Sequence, residues 1–282
     1  SRSTINGFTV LKDQYYDSGL HISHAIVYVS AYLFEGQTVT STTVNSGGSM
    51  AVSSGGSATS TMVNYGSMWI EGGCVTSTTL NAGSMWVSSG GCAIATMMNS
   101  SGSMWVDGGC VTSTTMNAGD YMYISNGGSA VSTTVNSGGN MWVSSSGSVT
   151  ATTVNSGGTI NGFTVSGNQY YDSGLHVSNA YVNHLAYLYV GQTATSTTVM
   201  NSLYGMWISS GGSATATIVN AGGSMLVYNY GSVTATAVNA GGNMWVSSGG
   251  CAAATLVTAS GYMSIRGGSA VSTTVNSNGY LG

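Results

Sequence analysis

The sequence predicts an all-β fold, a parallel β-solenoid of roughly 15 short coils. Three observations predict it. First, an asparagine-headed motif, seen in full at 136–154 as NSGGNMWVSSSGSVTATTV, recurs along the chain. Its opening residues are Asn45, Asn64, Asn81, Asn99, Asn117, Asn136 and Asn155, then Asn201, Asn220, Asn239 and Asn276, mostly 17 to 19 residues apart. Second, glycine pairs punctuate short apolar runs within each repeat. Third, the 282 residues include no proline, as suits a chain devoted to hydrogen-bonded ladders that proline would interrupt. A repeat this short buries its apolar side only against its neighbours, so stacking is obligatory.

Each repeat reads as two strand-like pieces. The first is Met-Trp-Val, as in Met68-Trp69-Ile70, Met85-Trp86-Val87, Met104-Trp105-Val106, Met141-Trp142-Val143, Met206-Trp207-Ile208 and Met244-Trp245-Val246. Alternation across a strand puts Met and Val on one face and Trp on the other. The middle position varies among repeats (Ala51, Tyr123, Leu226, Ser264) while its flanks stay apolar, so Met and Val are expected inside and Trp outside. The second piece is Ala/Val-Thr-Ser/Ala-Thr-Thr-Val, with threonine always fourth, from Thr61 and Thr78 to Thr255 and Thr273. Its faces stay open: either the Thr-x-Thr pair points out, or the threonines stack within. Glycine pairs such as Gly90-Gly91 are expected to supply positive φ at corners. The repeated asparagine tolerates the same conformation and, in register, can form an amide ladder.

Residues 4–44 and 159–199 are a longer duplication. TINGFTV and QYYDSGLHISHA return as TINGFTV and QYYDSGLHVSNA. The blocks fit about two irregular coils each, with Tyr15-Tyr16 and Tyr170-Tyr171 near the Met-Trp position. The expected organisation is one continuous solenoid over 1–282: divergent aromatic coils at 1–44, a first array at 45–158, a duplicate of the divergent block at 159–200, and a second array at 201–282. The chain opens without methionine inside repeat-like sequence, as a fragment or processed product would.

Composition narrows the function. Charged residues are 4% and hydrophobic residues 42%, and the ordered repeat excludes a disordered chain despite 43 glycines. Arg2, Lys12 and Arg266 are too few for a nucleic-acid or anionic-membrane footprint. No apolar run reaches the length of about 18 residues that a spanning helix needs, so no direct membrane insertion is expected. Charges stand singly, unlike the carboxylate clusters of carbohydrate-cleaving β-helices, and neither catalysis nor a cofactor or metal is expected. Asp17 with His21, and Asp172 with His176, recur in the duplicated blocks beside unpaired His24 and His184, and a structural hydrogen bond is the first reading of them.

The pattern SGGSATSTTVNSGGSMWVSSGG, as at 55–64 followed by 83–91, resembles the repeats of AIDA-type autotransporter adhesins. The resemblance covers nearly the whole chain. It implies a right-handed β-helix on a Gram-negative surface, outside the cell and anchored through a region not in this sequence. It also implies adhesion to host cells, self-aggregation or biofilm formation, with surface receptors or glycans as partners. Serine modification by a glycosyltransferase is implied too, with the corner serines Ser53, Ser54, Ser88, Ser89, Ser144, Ser145, Ser209, Ser210, Ser247 and Ser248 as candidate acceptors.

Two further columns are candidate sites. Trp69, Trp86, Trp105, Tyr123, Trp142, Trp207 and Trp245 form either a self-packing ladder or a stripe that stacks on sugar rings or on another rod. Cys74, Cys92 and Cys110 follow Gly-Gly in successive repeats, where coil stacking brings Cα atoms within disulfide range, and Cys251 shares the column. Free thiols standing in for serine are the other reading. The leading function is thus a non-catalytic adhesive or self-associating rod. The alternative is an ice-binding solenoid, for which pairs such as Thr76-x-Thr78 and Thr112-x-Thr114 would have to share an outer face.

Overall fold

The computed structural model describes residues 3–10, 21–144, 146–165, 169–173, 175–183, 185–200 and 205–282. All of their regular structure is strand, and they form two compact units, Ser1–Thr153 and Val154–Gly282. Each unit is a stack of short parallel coils, about 13 turns in all.

One coil of the first unit shows how the repeat folds. Its strands are Ser84–Ser88, Cys92–Ile94 and Met97–Asn99. Met85 and Val87 point inward and are fully buried, as are Ala93 and Met98, while Trp86 stays half-exposed. The inward expectation for Met and Val therefore holds. Burying one such side chain contributes about 1.5–3 kcal/mol, so the stacked columns supply the driving force for the fold.

The second piece of the repeat is two strands in most coils, as at Cys92–Ile94 and Met97–Asn99, and one strand at Ser148–Val154. Its third residue adopts a left-handed backbone: Ser60, Ser77, Ala95, Ser113, Ser132, Ser196 and Ala216 all have φ between 51° and 56°. This kink resets the alternation, so the first, fourth and sixth positions face inward: Val75, Thr78 and Leu80 are buried. Thr76 faces out while Thr78 faces in. Neither of the two alternatives open at the sequence level describes this, because both assumed an unbroken strand.

In the first unit, the first strands Ser30–Leu33, Ser49–Ser53, Ser67–Glu71, Ser84–Ser88, Ser103–Asp107, Tyr121–Ser125 and Asn140–Val143 pair in parallel, like residue beside like. In the second unit Leu185–Leu188, Gly205–Ile208, Ser224–Val227, Asn243–Ser247, Tyr262–Arg266 and Tyr280–Leu281 do the same. Register survives the uneven repeat length because the extra residues sit in exposed corners. Trp69 pairs with Trp86 across 17 residues and Trp86 with Trp105 across 19.

The two glycines of a corner do different jobs. Gly90 has φ +78°, whereas a Cβ on Gly91 would lie 2.5 Å from the Ile70 carbonyl oxygen of the preceding coil. Only the first of the pair is needed for positive φ; the second allows the coils to approach. The repeated asparagines do not adopt the left-handed conformation either. Tyr65 and Ala82, which follow Asn64 and Asn81, do so instead. The asparagines build the amide ladder: Asn81 donates to Asn64 (2.9 Å), Asn117 to Asn99 (2.9 Å), Asn136 to Asn117 (2.9 Å) and Asn239 to Asn220 (2.9 Å).

The duplicated TINGFTV segments are hairpins, not coils. Ser3–Ile5 pairs antiparallel with Phe8–Val10, and Thr159–Ile160 with Phe163–Val165. Asn6-Gly7 and Asn161-Gly162 carry positive φ at both turn positions, as a type I′ turn requires. The outer hairpin strand then pairs antiparallel with the first coil, at Ala25–Val27 and at Ala180–Val182. Phe8 and Phe163 are fully buried beneath it. Each unit thereby covers one parallel edge, and the residues spent on hairpins account for fewer turns than expected. The asparagine of each turn reaches across to the coil: Asn6 donates to Gln37 (3.3 Å) and Asn161 to Gln192 (3.1 Å).

Candidate functional site

The outer surface of the Met-Trp-Val ladder carries the aromatic column. Because register is exact in kind, Trp69, Trp86 and Trp105 stack nearly parallel, with ring centroids 4.0 and 4.8 Å apart and interplanar angles of 6° and 7°. Faces within the column cover one another, and edges meet solvent. The second unit is built differently. Tyr187 and Tyr228 meet Trp207 edge-on at 72° and 86°, Tyr262 lies tilted 58° against Trp245, and Tyr262 stacks on Tyr280 at 5.2 Å. Tyr123 lies in register between Trp105 and Trp142.

The corner serines separate into two kinds. Ser54, Ser89, Ser210 and Ser248 are exposed, whereas Ser53, Ser88, Ser144 and Ser247 are half-buried. Ser209, which follows the strand Gly205–Ile208, is buried, contrary to the expectation of an accessible corner. Ser145 lies outside the described residues. Exposed corner serines do not stack directly on one another. The coil after Ser54 places Gly72 beside it, and the coil after Ser89 places Gly108 there, so Ser54 and Ser89 are two coils, about 10 Å, apart. A second exposed serine column was missed at the sequence level: Ser60, Ser77, Ser113 and Ser132 occupy the left-handed bend. Its signal was present as the Ser/Ala variation of the third position, which marks a site without a core partner.

Cys74, Cys92 and Cys110 are Cα partners in successive coils and stand as free thiols on the outer face. Burial, together with the neighbouring thiols Cys74 and Cys110, pushes the Cys92 thiol up to about 11. Cys251 pairs in register with Ser232 and Ser269 and is exposed.

His21 lies against Thr38 Oγ1 of the next coil, and His176 contacts Thr193 Oγ1 at 2.7 Å in the same way. Asp17, His184, Asn201, Tyr15 and Tyr16 lie outside the described residues, as do the side chains of Asp172, Tyr170 and Tyr171. Among the described residues no group of three or more His, Cys, Asp or Glu side chains could hold a metal. A shallow recess between Asn179, Tyr181, Ser196, Thr198 and Met200 contains no carboxylate, histidine or cysteine. The ice-binding alternative fails on geometry. Thr76 and Thr78 take opposite sides of the wall because the left-handed Ser77 separates them, so no flat Thr-x-Thr lattice forms.

Comparison with known proteins agrees with these features. Residues 121–158 match the family model described as "Adhesin of bacterial autotransporter system, probable stalk". Along 94% of this chain and 96% of the other, the structure is similar to a TibC-catalysed hyper-glycosylated TibA fragment (residues 55–350), with 36% sequence identity and a TM-score of 0.53. The chain belongs to the AIDA-type autotransporter adhesins. HetL, a pentapeptide-repeat protein of the cyanobacterium Nostoc sp. strain PCC 7120, overlaps at 6% identity and a TM-score of 0.14, too low to carry an argument. No match was found among curated proteins.

Membership of this adhesin-stalk family implies exposure at the cell surface and a non-enzymatic role. A stalk must above all keep its columns aligned, and one residue unnoticed in the sequence contributes to that. Asp120 replaces the buried glycine of other coils and is itself fully buried. Its carboxylate accepts backbone N–H bonds from Gly102 (2.8 Å) and Asn117 (2.7 Å), tying two coils together. Burial raises its pKa even though these donors oppose the shift.

Proposed function

We propose that this chain is a glycosylated, non-catalytic stalk segment of a bacterial surface adhesin, held at the outer membrane through a region outside this sequence. Its outward columns make the adhesive contacts, with host-cell or bacterial receptors, with glycans or with another rod, and its corner serines carry sugar. The observation that carries the reading is the 36% identity along nearly the whole chain to a hyper-glycosylated adhesin fragment. The corner geometry supports it. Ser54 and Ser89 are exposed and lie two coils apart with a glycine level between, leaving lateral room for a sugar on each. The modifying partner would be a glycosyltransferase that plays for this chain the part TibC plays for TibA. The side-chain surface supports contact rather than chemistry: it is rich in hydroxyls and aromatic edges and nearly free of charge.

The test is intact mass after production with such a glycosyltransferase, set against the 28.4 kDa of the bare chain. Regular sugar increments are expected, mapping by peptide fragmentation to Ser54, Ser89, Ser210 and Ser248 ahead of the buried Ser209. Increments confined to other residue types, or a bare mass under conditions that modify TibA, would overturn the glycosylation reading.

A further inference from the structure

The aromatic column of the first unit has one missing level. Tyr32, Ala51 and Trp69 are in-register neighbours on three successive first strands. Trp69 ends the Trp69–Trp86–Trp105 stack, with Trp86 covering only one indole face. Its other face looks over the Ala51 methyl toward Tyr32. Trp69 is 37% exposed and Tyr32 48%, and Tyr32 is steadied from the side by Phe34, whose ring lies 6.3 Å away and within 10° of parallel. Tyr32 and Trp69 thus bound a slot two coils wide, with only the Ala51 methyl at the level between them.

We propose that this slot is a carbohydrate subsite that holds one hexopyranose ring of a surface glycan between Tyr32 and Trp69. The proposal rests on the aromatic face being a binding face and specifies its ligand. Width selects the occupant. Two coil steps separate the walls by about 9.6 Å. A flat ring touches both walls only when they stand about 7–8 Å apart, whereas a pyranose chair is thicker and presents C–H groups to both faces. The rim fits the same ligand. Ser49 and Ser53 flank Ala51 on its own strand, and Ser67 and Glu71 flank Trp69, all on the outer side. Hydroxyls and a single carboxylate bond the equatorial hydroxyls of a sugar, while the aromatic walls take its apolar faces. No other level of the first unit's column from Tyr32 to Trp142 combines a small side chain with an aromatic ring on either side.

The test titrates the full chain with methyl β-D-glucopyranoside, methyl β-D-galactopyranoside and methyl α-D-mannopyranoside, read by tryptophan fluorescence and saturation-transfer NMR. Ala51→Trp fills the slot with the side chain found at this level in neighbouring coils, so it extends the column without an unfamiliar strain. At least one glycoside is expected to bind, with Ala51→Trp and Trp69→Ala each weakening it at least tenfold. Absence of binding by all three glycosides, or unchanged binding by Ala51→Trp, overturns the proposal. So does self-association that Ala51→Trp abolishes and the glycosides leave untouched, since that assigns the slot to a second copy. Cell adhesion by the unaltered chain that persists while none of the glycosides binds it removes the slot and leaves the stalk reading standing. Adhesion that is absent from the unaltered chain removes the broader reading.

Discussion

At the residue scale the column of buried threonines is the least expected part of the core. Thr42, Thr61, Thr78, Thr96, Thr114, Thr133, Thr197, Thr217, Thr236 and Thr255 are almost fully buried, yet their hydroxyls have no hydrogen-bond partner, whereas Thr152 in the same column donates to the Thr150 carbonyl (3.4 Å). Nothing in the structure explains a hydroxyl there. A buried, unpaired hydroxyl costs about 1–3 kcal/mol. Thr78→Val, which keeps the shape and removes the polar atom, is therefore expected to leave chemical-denaturant stability unchanged or raise it by about 1 kcal/mol. A loss of stability would show that the hydroxyl is engaged. Cys92 gives a pH-dependent counterpart. With its thiol held up to about 11, the protonated form is favoured by the fold. That contribution is present below the unfolded thiol value of about 8.5 and is lost as pH rises toward 11. Alkylation needs the thiolate, so the iodoacetamide rate at Cys92 is expected to climb about tenfold per pH unit from 8 to 10. Peptide mass spectrometry reads this directly, and a plateau near pH 9 would contradict it.

At the element scale the repeat is governed by its corners and ladders. The asparagine ladder runs on the same backbone path as the strands and links consecutive coils through side-chain amides. Asn99 both donates to Asn81 (3.3 Å) and accepts from Asn117 (2.9 Å), so Asn99→Ala breaks two rungs. The expected cost is about 1–3 kcal/mol in urea unfolding, because net amide bonds are modest and the partners left behind can still reach solvent. Asn276→Ala, at an exposed asparagine, is expected to cost less. Much of the coil was legible beforehand: the inward Met and Val, the outward Trp and the ladder all follow from alternation and repetition. The left-handed third residue of the second piece was not, since serine and alanine carry no local signal for that conformation. It is imposed by the need to turn a corner while keeping Val75, Thr78 and Leu80 all inside. The hairpins were legible but unread. Asn-Gly between apolar pairs is a strong short-range turn signal, and both copies of TINGFTV carry it.

At the scale of the whole molecule, stability in such a stack comes from nearest-neighbour interfaces, so protection should vary along each unit. In the second unit Val271, Val275 and Leu281 are exposed, whereas Met244 and Val246 are fully buried. Amide hydrogen exchange is expected to be fastest across 269–281 and slower by at least tenfold across 243–247; uniform protection would argue that the unit opens only as a whole. The hairpins oppose such fraying at the other side of each unit by pairing with the first coil. Repetition and the two-residue period of a strand were enough to read the fold class, the inward and outward faces of the Met-Trp-Val strand and the amide ladder, while the family came from the resemblance of the repeat to AIDA-type adhesins. Only the tertiary structure decided where the second strand breaks, which serines are open, and that one level of the aromatic column stands empty between Tyr32 and Trp69. Those depend on which residues stack one coil away, and on bends whose conformation is fixed by packing across the coil.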